Sequence, residues 1–306
     1  MGAVNPLPAV SADGIHFTPL VEEGLWGSEE NHLFYDDETE QYVFLGRTGV
    51  NSDASKSYQN RSIYLRAQRE GRHCNAPGGI GCARKGWLRA VWMLTSKDFA
   101  NWSQPPHLYV FAPDRRDQEL GRMWIETHLA NPEMKQPLVV NWDEYSSQIY
   151  NMAAFPYEGI YIGFPTRFRM TGSLPDGGSD GFNVTGLSAS RDLENWLYAL
   201  NETRPDFIPL SPEDSGQYDL VQIMPPSKPL RIDDQLVFLY SASKFRSYKE
   251  GESPDMGNQA AFNLGTLRLD GFVSVSAGDL AGEVVTKPLV WRGSSLWLNA
   301  DADRGE

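Results

Sequence analysis

Ser188-Ala189-Ser190-Arg191-Asp192-Leu193-Glu194-Asn195-Trp196 decides the reading of this chain, because its central phrase, Ser-x-Asp-x-x-x-aromatic, occurs twice more. The other copies are Ser11-Ala12-Asp13-Gly14-Ile15-His16-Phe17 and Ser96-Lys97-Asp98-Phe99-Ala100-Asn101-Trp102. Ser and Asp side chains bond the backbone a residue or two downstream and so favour tight turns. The aromatic that follows supplies apolar area to pin the turn against a neighbouring sheet. One supersecondary unit reused in this way marks a repeat architecture, and the unequal spacing of the copies requires long loops between them.

Working outward, three hairpins share one pattern. His32–Asp36 and Gln41–Gly46 flank a polar turn, Gln148–Ala154 and Ile160–Phe164 flank Pro156–Gly159, and Leu220–Met224 leads through Asp233 and Asp234 to Leu236–Tyr240. All are rich in β-branched and aromatic residues. A further strand follows each hairpin, at Leu88–Leu94, Phe182–Leu187 and Asn263–Leu269. A four-stranded antiparallel sheet repeated around an axis is the propeller blade. The expected fold is therefore all-β, with four-stranded antiparallel blades, of which three to four are visible. Segments 50–60, 69–86, 112–146, 170–181 and 244–261 read as insertion loops, the third long enough for short helical or irregular structure.

Composition narrows the function. Glycine (28), proline (20) and aromatic residues (12%) are plentiful, as short strands joined by turns require. A net charge of −13 argues against a nucleic-acid groove, which needs clustered Lys and Arg, and favours a neutral, cationic or hydroxyl-rich small substrate. No apolar run is long enough to span a membrane, and the N-terminus has no charged segment followed by an apolar stretch, so no signal peptide is visible. The expected protein is soluble, with a secreted or periplasmic location open if the N-terminus is truncated. Cys74 and Cys82 read as a local disulfide or, with His73, as metal ligands; five histidines without an HxH, HExxH or CxxC pattern leave no metal or cofactor expected. Asn60, Asn101, Asn183 and Asn201 begin glycosylation sequons.

Asp13–Phe17, Ser96–Trp102, Ser188–Trp196, Leu267–Ser274, Thr286–Leu289 and Leu296–Asp301 together resemble proteins with the five-bladed propeller of arabinanases, invertases and levansucrases, the glycosyl hydrolase family 32 and 43 type. The likeness spans roughly residues 10–303. It implies a five-bladed propeller over 1–290, incomplete here, and the start of a C-terminal β segment or sandwich at 291–306, in a truncated member of the group. It further implies a glycosidase acting on a plant or algal polysaccharide or oligosaccharide at the central funnel. The alternative is a propeller that binds carbohydrate or protein without catalysis.

Glycoside hydrolysis needs two carboxylates flanking the sugar, one protonated for the leaving group and one ionised. In the resembling propellers they stand where inner strands begin, which here points to Glu30, with Glu29 as its alternate, and Asp219. A central blade would carry a third acid, but this chain offers Gln148 and Asn151, so Asp180 is the substitute candidate. Asn31, Gln148, Tyr150, Asn151 and Trp26 are expected to contact substrate, with Trp124 and Tyr161 as further stacking candidates. Arg167 and Arg246 are expected to hold a carboxylate or sulfate in a two-pronged grip. The expected partner is a carbohydrate, with neither nucleic acid nor membrane.

Overall fold

The computed structural model describes residues 7–22, 31–51, 87–103, 109–175, 177–226, 228–246 and 256–278, with scattered positions between 280 and 300. The described residues are mostly sheet, with one α-helix. After a short pair, β1 (Ala9–Val10) and β2 (Thr18–Pro19), three antiparallel units follow in chain order. The first runs β3 (His32–Asp36), β4 (Gln41–Asn51), β5 (Trp87–Ser96), with Phe111 bridging to Val91 beyond it. The second pairs β6 (Ser146–Tyr157) with β7 (Ile160–Ser173). Along the other edge of β7 lie β8 (Ser179–Thr185) and β9 (Ser188–Ser190), and β10 (Trp196–Tyr198) closes the unit. In the third, β11 (Gln222–Met224) and β12 (Leu230–Ile232) share one edge of β13 (Gln235–Ser243), and β14 (Ala260–Arg268) takes the other. A single parallel pairing of Gln222 with Asn183 joins the second unit to the third.

The three expected hairpins and their following strands are in place, with two differences. The first strand of the third hairpin is broken into β11 and β12 around Pro225 and Pro226, which cannot donate to a ladder. Segment 112–146, expected to be mainly loop, holds the 16-residue helix α1 (Arg115–Ala130). Asp114 caps it reciprocally: its carboxylate accepts from the Asp117 backbone N–H at 2.9 Å, and the Asp117 carboxylate accepts from the Asp114 backbone at 3.0 Å. The cysteine pair lies outside the described residues. Asn183 is fully buried, so its sequon is closed to glycosylation in the folded chain.

The Asp turn of the repeated phrase recurs in all three copies, although Phe17 of the first is exposed where Trp196 of the last is buried. Asp13, Asp98 and Asp192 each accept from the backbone N–H groups two and three residues on, at 2.7–3.0 Å. The residue after each Asp is left-handed: Gly14 at φ 74°, Phe99 and Leu193 at φ 63°. Such a backbone costs a side-chain-bearing residue about 1–2 kcal/mol, and the carboxylate's multiple bonds offset it. Trp102 and Trp196 then donate their indole N–H back to the carbonyls of Phe99 and Leu193, at 2.9 and 2.7 Å.

Packing occurs face to face between units. Val43, Leu45, Val91 and Met93 of the first bury against Ile149, Met152, Tyr161 and Trp196 of the second. Phe182 and Val184 bury against Ile223, Tyr240 and Ala242 of the third, with Trp124 of α1 alongside. Burying one such side chain is worth about 1.5–3 kcal/mol. Gly163 marks the tightest point, because a Cβ there would stand 2.2 Å from Met152 Cε and 2.5 Å from Trp196 Cζ3.

Two outcomes follow. Gly163→Ala is expected to lower the urea midpoint by the equivalent of about 1–3 kcal/mol, the usual cost of overpacking, with the m-value unchanged. The second concerns pH. The Asn101 side-chain and backbone donors hold the Asp98 carboxyl down to about 2. Burial pushes Asp192 up, but the Asn195 donors outweigh it and the net shift is downward. A carboxylate depressed in the folded state stabilises fully above its unfolded pKa of about 3.9, and loses that contribution as pH falls through the folded value. The double variant Asp98→Asn, Asp192→Asn should therefore lose stability less steeply than wild type between about pH 4 and pH 2; equal slopes in denaturation at stepped pH would contradict this.

Candidate functional site

Strand β7 separates two arginine-rich environments, because successive side chains point to opposite faces. Arg167 and Arg169 project to one face, and both are buried around the Asp206 carboxylate. Arg169 grips Asp206 with two bonds of 2.8 and 3.0 Å and lies 4.0 Å over the Trp124 ring. Arg167 donates to Asp206 and to the carbonyls of Arg204 and Pro205. Burial raises the Asp206 carboxyl, but Arg169 and Arg167 overcome this and hold it below the ordinary carboxylate value. Arg204 in turn clamps Asp114 at 2.7 and 2.8 Å and reaches Asp117 at 3.0 Å, fastening this network to the start of α1.

Phe168 projects to the other face, where register builds a transverse row: Gln148 pairs with Phe168, Phe168 with Asn183, Asn183 with Gln222 and Gln222 with Ser243. Polar side chains thus interrupt what are otherwise apolar strands. The Gln148 amide oxygen accepts from Arg89 Nη1 at 2.7 Å, and the Gln222 amide oxygen accepts from Arg246 Nη1 at 3.1 Å. The two guanidiniums approach Phe168 at 5.4 and 3.9 Å. Tyr150 stands at the centre, with Arg47, Arg89 and Arg246 at 4.8, 5.2 and 5.2 Å from its ring. Asn183 donates to Gln222 at 3.1 Å. Among the described residues, the buried amide oxygens of Asn183 and Asn151 have no hydrogen-bond partner. This face thus gathers guanidinium and amide groups around Tyr150 and Phe168.

Of the residues expected at a site, Gln148, Tyr150 and Arg246 meet here, with Asn151 just beyond on β6. Arg167 lies on the opposite face, engaged with Asp206. Asp180 is buried within β8 and accepts from the backbone of Leu138 and Val139, at 2.6 and 3.1 Å, fixing the segment after α1. Asp219 is 7% exposed; one carboxylate oxygen accepts from the Tyr240 hydroxyl at 3.0 Å, and the other has no partner among the described residues. Asn31, partly buried, immediately precedes β3. Glu29, Glu30 and Trp26 lie outside the described residues. Trp124 packs against Phe182 and His128, and Tyr161 is buried with its hydroxyl on Asp36 at 2.8 Å. Among the described residues no group of three His, Cys, Asp or Glu side chains is placed to hold a metal ion.

Sequence reasoning overlooked Arg47, Arg89, Asn183 and Gln222. Their signal is a lone polar residue inside an apolar strand, as in Leu220-Val221-Gln222-Ile223-Met224 or Phe182-Asn183-Val184.

No protein-family model matches the chain, and no curated protein matches it. Among solved structures it is similar to an N-acetylgalactosamine deacetylase from F. plautii in complex with blood group B trisaccharide, at 13% identity and a TM-score of 0.41, over 82% of this chain and 52% of that one. It is similar also to a Bombyx mori GH32 beta-fructofuranosidase, at 10% identity and a TM-score of 0.38, over 84% and 37%. A glycosyl hydrolase from Bacteroides ovatus is a third, at 12% and 0.29, over 81% and 69%. The chain spans about half the length of the first of these. Such remote likeness assigns neither activity nor substrate. No helix among the described residues is long and apolar enough to cross a membrane.

The Asp206 network yields its own test. Removing one partner from a buried ionic cluster leaves uncompensated charge and costs about 3–5 kcal/mol, so Asp206→Ala and Arg167→Met are each expected to lose stability on that scale in chemical denaturation. A substrate-contact role for Arg167 would instead alter KM or ligand affinity with stability preserved.

Proposed function

We propose that the chain is a five-bladed propeller of glycoside-hydrolase type that takes a glycan at the mouth where the inner strands of its units begin. The observation carrying this reading is the polar row from Gln148 through Asn183 to Gln222, with Tyr150 above it. Two packed sheets would ordinarily bury apolar side chains there, whereas buried amides, with the Asn183 and Asn151 oxygens unpartnered among the described residues, suit a ligand rich in hydroxyl donors. In this reading β3–β5, β6–β10 and β11–β14 are successive blades, and Glu30 and Asp219 form the acid pair. Asp219 supports its assignment by keeping one carboxylate oxygen unpartnered beside the Tyr240 hydroxyl. Asp180, whose carboxylate holds two backbone N–H groups, supports the site indirectly by positioning the 138–139 segment.

A second reading, a propeller that binds glycans without cleaving them, is favoured by one feature. Gln148 and Asn151 stand where the resembling furanosidases carry a further acid, and Gln148 is committed to Arg89.

Polysaccharide digestion with product analysis separates the two. Under the hydrolase reading wild type releases sugars, while Glu30→Gln and Asp219→Asn each reduce release by about 10³-fold or more, as loss of an essential catalytic group does, with thermal unfolding nearly unchanged. Wild-type-like turnover in both variants rejects those assignments; binding of glycans without any release by wild type selects the second reading.

A further inference from the structure

Gln41-Tyr42-Val43-Phe44-Leu45 of β4 recurs as Gln235-Leu236-Val237-Phe238-Leu239 of β13. The neighbouring strands keep the same register. Val43 pairs with Phe34 on one side and Thr95 on the other, as Val237 pairs with Leu230 and Thr266. Leu45 pairs with Met93 as Leu239 pairs with Leu264, and Arg47 with Val91 as Ser241 with Phe262. Two sheet faces thus correspond position by position, because residues two apart along a strand share a face. Their surroundings differ. In the first unit Val43, Leu45, Val91 and Met93 are buried, with Phe34 alongside, in one cluster with Ile149 and Met152 of β6 and with Leu193 and Trp196, which the third Asp turn supplies. In the third unit Leu230, Leu239, Phe262 and Leu264 are 67, 51, 78 and 71% exposed. Single exposed leucines are ordinary, but an adjoining apolar group on one face is the kind of patch that marks an interface.

The first unit shows what such a face accepts: an Asp turn whose following aromatic joins the apolar row. The first Asp turn of the chain has not buried its aromatic. β1 and β2 flank the Ser11–Phe17 copy in the register in which β9 and β10 flank Ser190–Trp196, with Val10 opposite Thr18 as Ala189 is opposite Leu197. Phe17 therefore holds the position of Trp196, yet Ile15 and Phe17 are 77 and 62% exposed. Each copy of the chain thus carries a bare face and a bare hairpin of matching kind. A two-fold axis lets each hairpin meet the other copy's face and forms every contact twice.

We propose that the face of β12, β13 and β14 bearing Leu239 and Leu264 is a dimer interface, occupied by the β1–β2 hairpin of a second copy of this chain. Phe17 of one copy joins Leu239 and Leu264 of the other, as Trp196 joins Leu45 and Met93 within the chain. The inference is independent of the glycan reading, since no residue assigned above to a ligand lies on either surface.

Sedimentation equilibrium of the whole chain over a wide range of concentration is the test. Wild type should reach twice the chain mass. Phe17→Asp on the hairpin and Leu264→Asp on the face should each weaken association by about 10²-fold or more, because each change places an unpaired charge in the interface twice. An equimolar mixture of the two variants should associate more tightly than either alone, since the Leu264→Asp copy lends an intact hairpin to the intact face of the Phe17→Asp copy. A merely structural role for either residue gives no such recovery. Thermal unfolding is measured where wild type is monomeric, and both variants should match it there, because both residues are exposed in the single chain. If Leu264→Asp does not fold, Phe262→Thr, which keeps a strand-forming residue, takes its place. A wild type that stays monomeric at every concentration overturns the inference. So does a dimer indifferent to Phe17→Asp, in which the faces meet without the hairpin, and so does a mixture no tighter than its components.

Discussion

The structure depends on how β7 accommodates arginines on a strand buried along almost its whole length. Removing a guanidinium from water costs several kcal/mol unless its N–H groups are met. Arg167 and Arg169 are met by the Asp206 carboxylate and by the carbonyls of Arg204 and Pro205. That requirement pulls the loop after β10 against the sheet and brings Arg204 to Asp114 and Asp117. Three arginines therefore face three aspartates in one buried group, and the formal charges cancel. The N-terminus of α1, the loop after β10 and the centre of the second unit are fastened at one place. Because side chains alternate, fixing Arg167 and Arg169 on this face also aims Phe168 at the other, where Arg89 and Arg246 stack on it. The candidate site is in this sense the reverse side of a structural ion cluster.

How much of this was legible in the sequence varied with the interaction involved. The Asp turns were readable because their hydrogen bonds are local: Asp192 reaches only to Glu194 and Asn195, and the same residue types recur at Asp98. Hairpins were readable from their flanking turns. Helix α1 was not, since its buried positions are Asp117, Gly121, Ile125 and His128, only one of them a large apolar residue. Helical spacing is present there, but hydrophobicity does not report it; the Asp114-Arg-Arg-Asp117 cap was the available sign.

The site was half legible for a related reason. Gln148, Tyr150 and Arg246, named from their positions on or after expected inner strands, do lie together. Arg167 was assigned to the same mouth because residues 161–172 are buried on both faces of β7, so polarity along the strand does not alternate in a way that tells one face from the other. Arg47 and Arg89 lie on β4 and β5 and reach Tyr150 from another unit. Only the packing of the two units brings them there. Asp180 shows a different ambiguity: an acid at the start of a strand can serve chemistry or backbone N–H groups, and its carboxylate here accepts from Leu138 and Val139.

The choice of amide over carboxylate at Gln148 and Gln222 has a further consequence for chemistry at the mouth. An acid at position 148 would stand 2.7 Å from Arg89 Nη1 and form a buried pair. It would then be held ionised by that guanidinium, leaving it poorly suited to donate a proton to a leaving group. The Asp219 carboxylate accepts instead from the neutral Tyr240 hydroxyl, which burial and the nearby Asp219 charge push up to about 12.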